Sequence, residues 1–325
     1  MNQAKTCVIS VSLVMLLVAT LSLSGCIFRL GDNIYEYTTE EYEADENTMI
    51  IVNNINGQVT VRGCENNTIS LKIIKITKER WGEEEFDKVT VDVTQQNDEL
   101  LIITNYLEEK THVTVTMDIQ VPHFVNVKEV ETVNGGVYIS NVKGINPLFK
   151  NTNGFISIDT VTIEGTQMDT ETINGQLDIA HVDFDIQGGD VFTSASSGTI
   201  TVCDVNGYVE AKTISGEITI TDTLGIHDVT TTSGVISVEV FDITKNVEIS
   251  TTTGTIDAYL NTDMNANLDI KSNTLTGGIR LNDIEPYLDI TRLEIDHIEA
   301  ILGDGGYTIT MEISTGFINL YKLND

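Results

Sequence analysis

Proline occurs three times in 325 residues and aromatic side chains make up only 6%. So little proline excludes a proline-rich stalk, and so few aromatics leave an aliphatic core to be drawn from the 41% of hydrophobic residues. Basic residues are scarce too: 18 Lys and Arg stand against 49 Asp and Glu, for a formal net charge of −31. No basic run exists to release counterions from a polyanion, so nucleic acid is excluded as a partner. The acidic surplus reads as a solvated surface suited to a salty exterior. The four cysteines, Cys7, Cys26, Cys64 and Cys203, contain no C-x-x-C pair and make no disulfide framework; Cys64 and Cys203 are expected as buried thiols. The five histidines are scattered, without H-x-x-x-H or H-E-x-x-H spacing, and there is neither a G-x-S-x-G elbow nor a phosphate-binding glycine loop. No catalytic, cofactor-binding or metal-binding residue is therefore assigned.

What is present begins with an apolar leader. Cys7 to Phe28 carries no charge, follows Lys5, and ends in Leu23-Ser24-Gly25-Cys26. That tetrapeptide resembles the lipobox of prokaryotic lipoproteins, in which small residues admit the signal peptidase and the thiol accepts the lipid. The resemblance implies a signal peptide over 1–25, lipidation of Cys26, and a body tethered to the extracytoplasmic face of the membrane. The alternative is a single uncleaved transmembrane helix, since roughly 20 uncharged residues span a bilayer. Residues 26–47 are acidic without an apolar period and read as a lipidated tether.

The rest is a repeat, over 48–325. A hydroxyl or amide residue, then Gly, any residue, apolar, polar, apolar recurs ten times, at Gly57, Gly135, Gly154, Gly175, Gly198, Gly216, Gly234, Gly254, Gly277 and Gly316. From Gly135 the spacings are 19, 21, 23, 18, 18, 20, 23 and 39; a degenerate copy at Asp296, followed by Ile298 and Ala300, would divide the last. Period-2 alternation after each glycine is a strand with one buried face, and the glycine supplies a positive φ at a corner. A unit of about 20 residues cannot bury its apolar side alone, so units must stack. The expected fold is all-β: a β-solenoid, with the Asn, Ser and Thr before each glycine forming a ladder along one edge. An antiparallel sandwich built on Asn-Gly hairpins is the alternative.

Residues 131–325 read as regular coils. Residues 48–130 read as hairpin-rich, with longer strand-like runs and a charged segment, Lys78 to Lys88, that holds the sole tryptophan, Trp81, and suits a short helix. Asp118-Ile119-Gln120-Val121-Pro122, Val125–Val130, Thr132-Val133-Asn134-Gly135 and the glycine-punctuated coils resemble the DUF4097 group of adhesin-like domains. The resemblance implies a solenoid-like body on a bacterial or archaeal envelope and brings no catalytic residue with it.

Outward positions rich in Thr, Ser, Asn and Asp make a hydrated face, which points to a non-catalytic adhesin-like or surface-scaffold role toward envelope polysaccharide or a surface protein. A polysaccharide-active β-helix enzyme is the alternative; Asp178, Asp257 and Arg280 are its outward candidates. Asp183, Asp185 and Asp190 beside Gly188-Gly189 are the most plausible calcium ligands, and Asn66-Asn67-Thr68 is a lone glycosylation sequon. Mass spectrometry of the native N-terminus is expected to show loss of residues 1–25 and an acylated Cys26. An intact Met1 or an unmodified Cys26 overturns the lipobox reading.

Overall fold

The computed structural model of the chain describes residues 23–186, 188–273 and 277–323. The expected signal segment lies almost wholly outside them. Among the described residues twenty strands form one continuous, mostly parallel sheet, accompanied by three short 3-10 turns.

Alternation explains how each coil closes. In the Gly154 coil, Leu148–Ile163, the inward residues are Phe149 and Asn151, then Ile156 and Ile158, then Val161 and Ile163. The inward phase slips once at Gly154 and again at Thr160, so the chain bends twice and presents three inward arms. Gly154 takes φ +146° and Thr160 φ +59°. The second bend recurs up the stack at Asn141, Thr160, His181, Asp204 and Asp222, all at φ between 51° and 59°, mostly residue types that tolerate this region. Each coil pairs in parallel register with the next: Gly154 stands on Gly135, Gly175 on Gly154, and Ile156 between Val137 and Leu177. Parallel pairing of neighbouring repeats settles the choice between a stack of coils and an antiparallel sandwich. The core is aliphatic throughout; Phe149 is the single aromatic among its largest fully buried side chains.

The glycine column is sterically closed. A Cβ added to Gly216 would lie 1.7 Å from the carbonyl oxygen of Gly198, and the same approach, at 1.5 to 2.1 Å, recurs from Gly135 to Gly316. Gly216 has φ +152°, and Ile218 and Ile220 are fully buried, as expected of the corner.

The ends depart from a simple winding. At the C-terminal end the last coil in sequence, Tyr307–Lys322, inserts between two earlier segments. It pairs in parallel with Val247–Leu260 on one side and with Ala266–Ser272 and Gly278–Leu281 on the other. The N-terminal end mirrors this. Met49–Asn56 and Val59–Cys64 lie between Asn126–Gly144 and the outer strands Glu99–Tyr106 and Thr114–Pro122. Antiparallel strands then cover each end: Val89–Gln96, Thr68–Lys78 and Asn33–Glu43 at one, His297–Leu302 and Leu288–Leu293 at the other.

Three expectations change. The degenerate copy at Asp296 is not a coil: Ile298 and Ala300 are buried, but on His297–Leu302, which runs antiparallel to Ala266–Ser272. A cap uses the same alternation as a coil, so local pattern could not separate them. The acidic stretch after Cys26 is structured rather than a free tether. Leu23–Leu30 and Asn33–Glu43 form an antiparallel pair, with Cys26 opposite Tyr37, and Ile34 and Tyr42 are buried against the body. Four glutamates on the outward and edge positions of Asn33–Glu43 had masked those two anchors. Cys64 and Cys203 are free and half-buried rather than fully buried.

Gly216→Ala is expected to destabilise the chain by about 2–4 kcal/mol, because strain at positive φ adds to a clash with backbone that cannot withdraw. Gly188→Ala (φ +86°, nearest atom a Tyr208 ring carbon at 3.7 Å) incurs the strain alone and is expected to cost about 1 kcal/mol. Equal effects in chemical denaturation would mean that the close approach carries no weight.

Candidate functional site

Two polar columns flank the glycine corners. The outer one starts as an amide ladder: Asn134 Nδ2 donates to Asn56 Oδ1 at 2.7 Å, Asn153 to Asn134 at 2.9 Å, and Asn174 to Asn153 at 3.0 Å. It continues as Ser197, Ser215, Ser233, Thr253 and Thr315, in register. The inner column was not anticipated. Two residues before seven of the nine ladder positions, Asn54, Thr132, Asn151, Thr172, Thr213, Thr231 and Thr251 point inward and are buried; Ala195 and Ile313 take the other two places. A backbone bending at positive φ turns its carbonyl out of the strand ladder, and a buried carbonyl needs a donor. Asn151 Nδ2 reaches Gly135 O at 2.6 Å, and Asn54 Nδ2 reaches Gly57 O at 3.2 Å and Val115 O at 2.9 Å. The recurrence of Thr or Asn three residues before the glycine was the available signal.

The outward candidates for chemistry fall apart. Asp178 accepts from Gln176 Nε2 at 2.8 and 2.9 Å in the Gly175 coil. Insertion of the last coil, however, brings Asp257 and Arg280 to either side of Asn319. Asn319 donates to Asp257 Oδ1 at 2.7 Å, while Arg280 lies 4.0 Å over the Phe317 ring and Tyr259 stacks on Tyr321 at 4.8 Å. These groups already satisfy one another.

Among the described residues, one group of three could hold a metal: Asp269, His297 and Glu299. His297 Nε2 is 2.8 Å from Asp269 and 3.3 Å from Glu299, but Lys271 and Arg292 occupy the same carboxylates at 2.6 and 3.3 Å. Burial opposes ionisation of Asp269, and the hydrogen bonds from Lys271 and His297 overcome it, holding its pKa below the ordinary carboxylate range. Two cations in place make this an ion-pair network rather than an open metal site. Asp183, Asp185 and Asp190 do not converge; Asp190 faces His227, 3.1 Å from Nδ1. His227 is buried and stacked on Tyr208, the rings 4.9 Å apart and nearly parallel, and burial lowers its pKa.

A concave feature with convergent polar groups lies at the N-terminal end, where the amide ladder begins. A cleft of about 650 Å³ opens between the turn Glu79–Trp81, the loop ending at His112, and the corners at Gly57 and Gly135. Trp81 stacks face to face on His112 with centroids 3.8 Å apart and planes 16° from parallel, and Arg80 lies over the Trp81 ring at 4.8 Å. The loop is pinned three ways: Thr77 Oγ1 donates to His112 O at 2.9 Å, Tyr106 Oη to Val113 O at 2.8 Å, and the His112 amide donates to Glu85 Oε2 at 2.9 Å. Glu85 is buried and also accepts from Lys88 at 2.7 Å. That bond, joined by the one from His112, holds Glu85 below the usual carboxylate range. The charged segment from Lys78 to Lys88 does form short helical turns. The sequence placed Trp81 there, but its meeting with His112 and the ladder depends on folding.

The molecule so described is a capped, three-sided parallel β-solenoid. No family model matches the chain, and no curated protein matches it. Solved structures that resemble it include a "putative lipid binding protein" from Parabacteroides distasonis (TM-score 0.45, 14% identity, covering 88% of this chain and 97% of that one). A "putative adhesin" from the same organism gives TM-score 0.44 and 11% identity, covering 87% of this chain and 96% of that one. A "putative adhesin" from Bacteroides fragilis gives TM-score 0.36 and 10% identity, with the same coverages. Similarity this low adds nothing to the argument from geometry.

Because the folded-state pKa of Glu85 is depressed, its contribution to stability is complete above the unfolded carboxylate value, about 4.3, and is lost as pH falls through the lower folded value. Glu85→Gln is expected to lower the melting temperature at pH 7 by roughly 2–4 °C, the equivalent of about 1 kcal/mol. The difference from wild type should begin to shrink below about pH 4.3 and close once the pH is below the folded value. A difference that persists unchanged at pH 3 would assign the loss to shape rather than charge.

Proposed function

We propose that the chain is a non-catalytic, lipid-anchored envelope protein of adhesin or surface-scaffold type, with a DUF4097-like body. The observation that carries this reading is the exposed outer column, an in-register series of amides and hydroxyls from Asn56 to Thr315. Such a column repeats one weak contact at the coil spacing of about 4.8 Å, which favours multivalent binding to a polymer over turnover of a small substrate. Where carboxylates do meet other groups they are already held, Asp257 by the Asn319 amide and Asp269 by Lys271; a catalytic cleft needs such groups held poised instead.

In this proposal Cys26 carries the lipid, the membrane is one partner, and envelope polysaccharide or a surface protein is the other. The described strand pairing already includes the proposed anchor position, with Cys26 opposite Tyr37. An acylated Cys26 therefore holds the N-terminal end of the solenoid close to the bilayer, without a long spacer.

The test is retention of the full chain, solubilised in detergent, on isolated envelope fractions. Asn134→Ala is expected to weaken retention about two- to threefold, and Asn134→Ala with Asn153→Ala and Asn174→Ala by more than about tenfold, as repeated contacts are lost together. Undiminished retention by the triple variant removes the ladder as the binding surface. Turnover of a polysaccharide, lost on Asp257→Asn, would replace the proposal with an enzyme.

A further inference from the structure

The Trp81 cleft stands out by charge. The chain carries 49 acidic residues against 18 basic ones, yet none of the described residues lining this cleft is acidic, and Lys78, Arg80 and His112 all line it. Neither Lys78 nor Arg80 forms an ion pair among the described residues. Three neighbouring glutamates have other partners: Glu79 and Glu83 take Arg29, at 3.6 and 2.9 Å, and Glu85 takes Lys88, while Asp32 and Glu79 border a second hollow on the other side of Lys78 and Arg80. A cationic concavity on a molecule of net charge −31 attracts an anion locally while the surrounding surface repels polyanions at large.

The remaining lining narrows the anion. Asn33, Asn56 and Asn134 present amides that both donate and accept, as do the vicinal hydroxyls of a sugar. Trp81 is 37% exposed; with His112 stacked on its ring and Arg80 over it, what it offers is the indole edge beside the Arg80 guanidinium. A guanidinium grips a carboxylate in two parallel hydrogen bonds. An acidic peptide fits less well. The strands that wall the cleft are already paired, Ile76 with Thr114 and Asn33 with Lys78, so no free edge is left for strand addition. A volume of about 650 Å³ is within the range of small-ligand sites.

We propose that this cleft binds a carboxylated sugar unit of an acidic polysaccharide. Arg80 and Lys78 take the carboxylate, the three asparagines take the hydroxyls, and the exposed edge of Trp81 borders the bound sugar. Because Asn56 and Asn134 are also the first two rungs of the amide ladder, the polymer would run from the cleft along the outer column. The inference rests on the surface-binding reading above and gives it a ligand class.

Trp81 is the sole tryptophan, so its emission reports on this cleft alone. The full chain in detergent is titrated with oligogalacturonate, with its methyl ester, with free galacturonic acid and with oligoglutamate. Oligogalacturonate is expected to change the emission saturably, and the ester to bind at least about tenfold more weakly, the worth of a charge-assisted hydrogen bond. Raising salt should weaken binding by oligogalacturonate but not by the ester. Binding by free galacturonic acid of similar strength would assign the cleft to a single sugar unit; much weaker binding would show that the ladder contributes. Arg80→Ala, at an exposed position, is expected to lose about tenfold in affinity with an unchanged melting temperature. Equal binding of acid and ester, equal binding of oligoglutamate, an unaltered Arg80→Ala or no saturable change overturns the site. Envelope retention separates the two proposals. If wild type and Arg80→Ala are retained alike while oligogalacturonate gives no signal, the cleft assignment falls and the surface-binding reading stands. If oligogalacturonate binds but envelope retention is absent, the reverse holds.

Discussion

The contact on which the fold depends is backbone against backbone: the Cα of each corner glycine resting on the carbonyl of the glycine one coil below. From Gly135 to Gly316 there is no room for a Cβ, and φ at most of these positions lies in a range that side chains rarely adopt. This approach sets the bend, and the bend sets the phase slip that turns a period-2 strand into a closed coil. Once the glycines are in register, everything at a fixed offset from them is in register too: the aliphatic core two and four residues after, the outer amides one before, the buried Thr and Asn three before. A corner that bends this sharply also exposes a carbonyl to the interior, and at the N-terminal coils Asn54, Thr132 and Asn151 of the inner column donate to it.

A stack of identical coils has two open ends, each a row of unpaired backbone groups that invites further pairing. Both ends use one device. The chain lays down an inner coil or leaves a gap for one, moves outward to build an outer layer, and returns, so that a segment distant in sequence is held between the two. Antiparallel strands then cover the outer layer. The arrangement has a functional consequence at each end. Insertion of Tyr307–Lys322 assembles Asp257, Asn319 and Arg280 into one row. The outward excursion after Cys64 carries Trp81 and His112 to the foot of the amide ladder. The regular middle of the solenoid presents repetition, and its irregular ends hold the distinctive side-chain constellations.

Electrostatics follows the same division. Along the coils, acidic residues face solvent with few partners, which suits a molecule kept apart from other polyanions. At the ends, scarce cations are concentrated: Lys271 and Arg292 in the C-terminal network, Lys78 and Arg80 at the N-terminal cleft. The first pair is consumed by Asp269 and Glu299. The second is not, because Arg29 and Lys88 have taken the neighbouring glutamates.

The amino-acid sequence alone determined the solenoid. Glycine spacing, the alternation after each glycine and the Asn, Ser or Thr before it are local and recurrent, so the coil, its buried Ile218 and Ile220 and the outer ladder were legible without coordinates. Local pattern is blind to direction and to order in space. The alternation of Ile298 and Ala300 is the same in a parallel coil as in an antiparallel cap, and nothing near Gly316 says that its coil inserts beside Gly254 rather than after Gly277. Likewise Ile34 and Tyr42 are two apolar positions among acids, too few to reveal a strand until Thr68–Lys78 is there to receive it. Only tertiary structure decided those pairings, and with them the cleft, because Trp81, His112, Asn56 and Asn134 are joined by strand partners chosen across tens of residues.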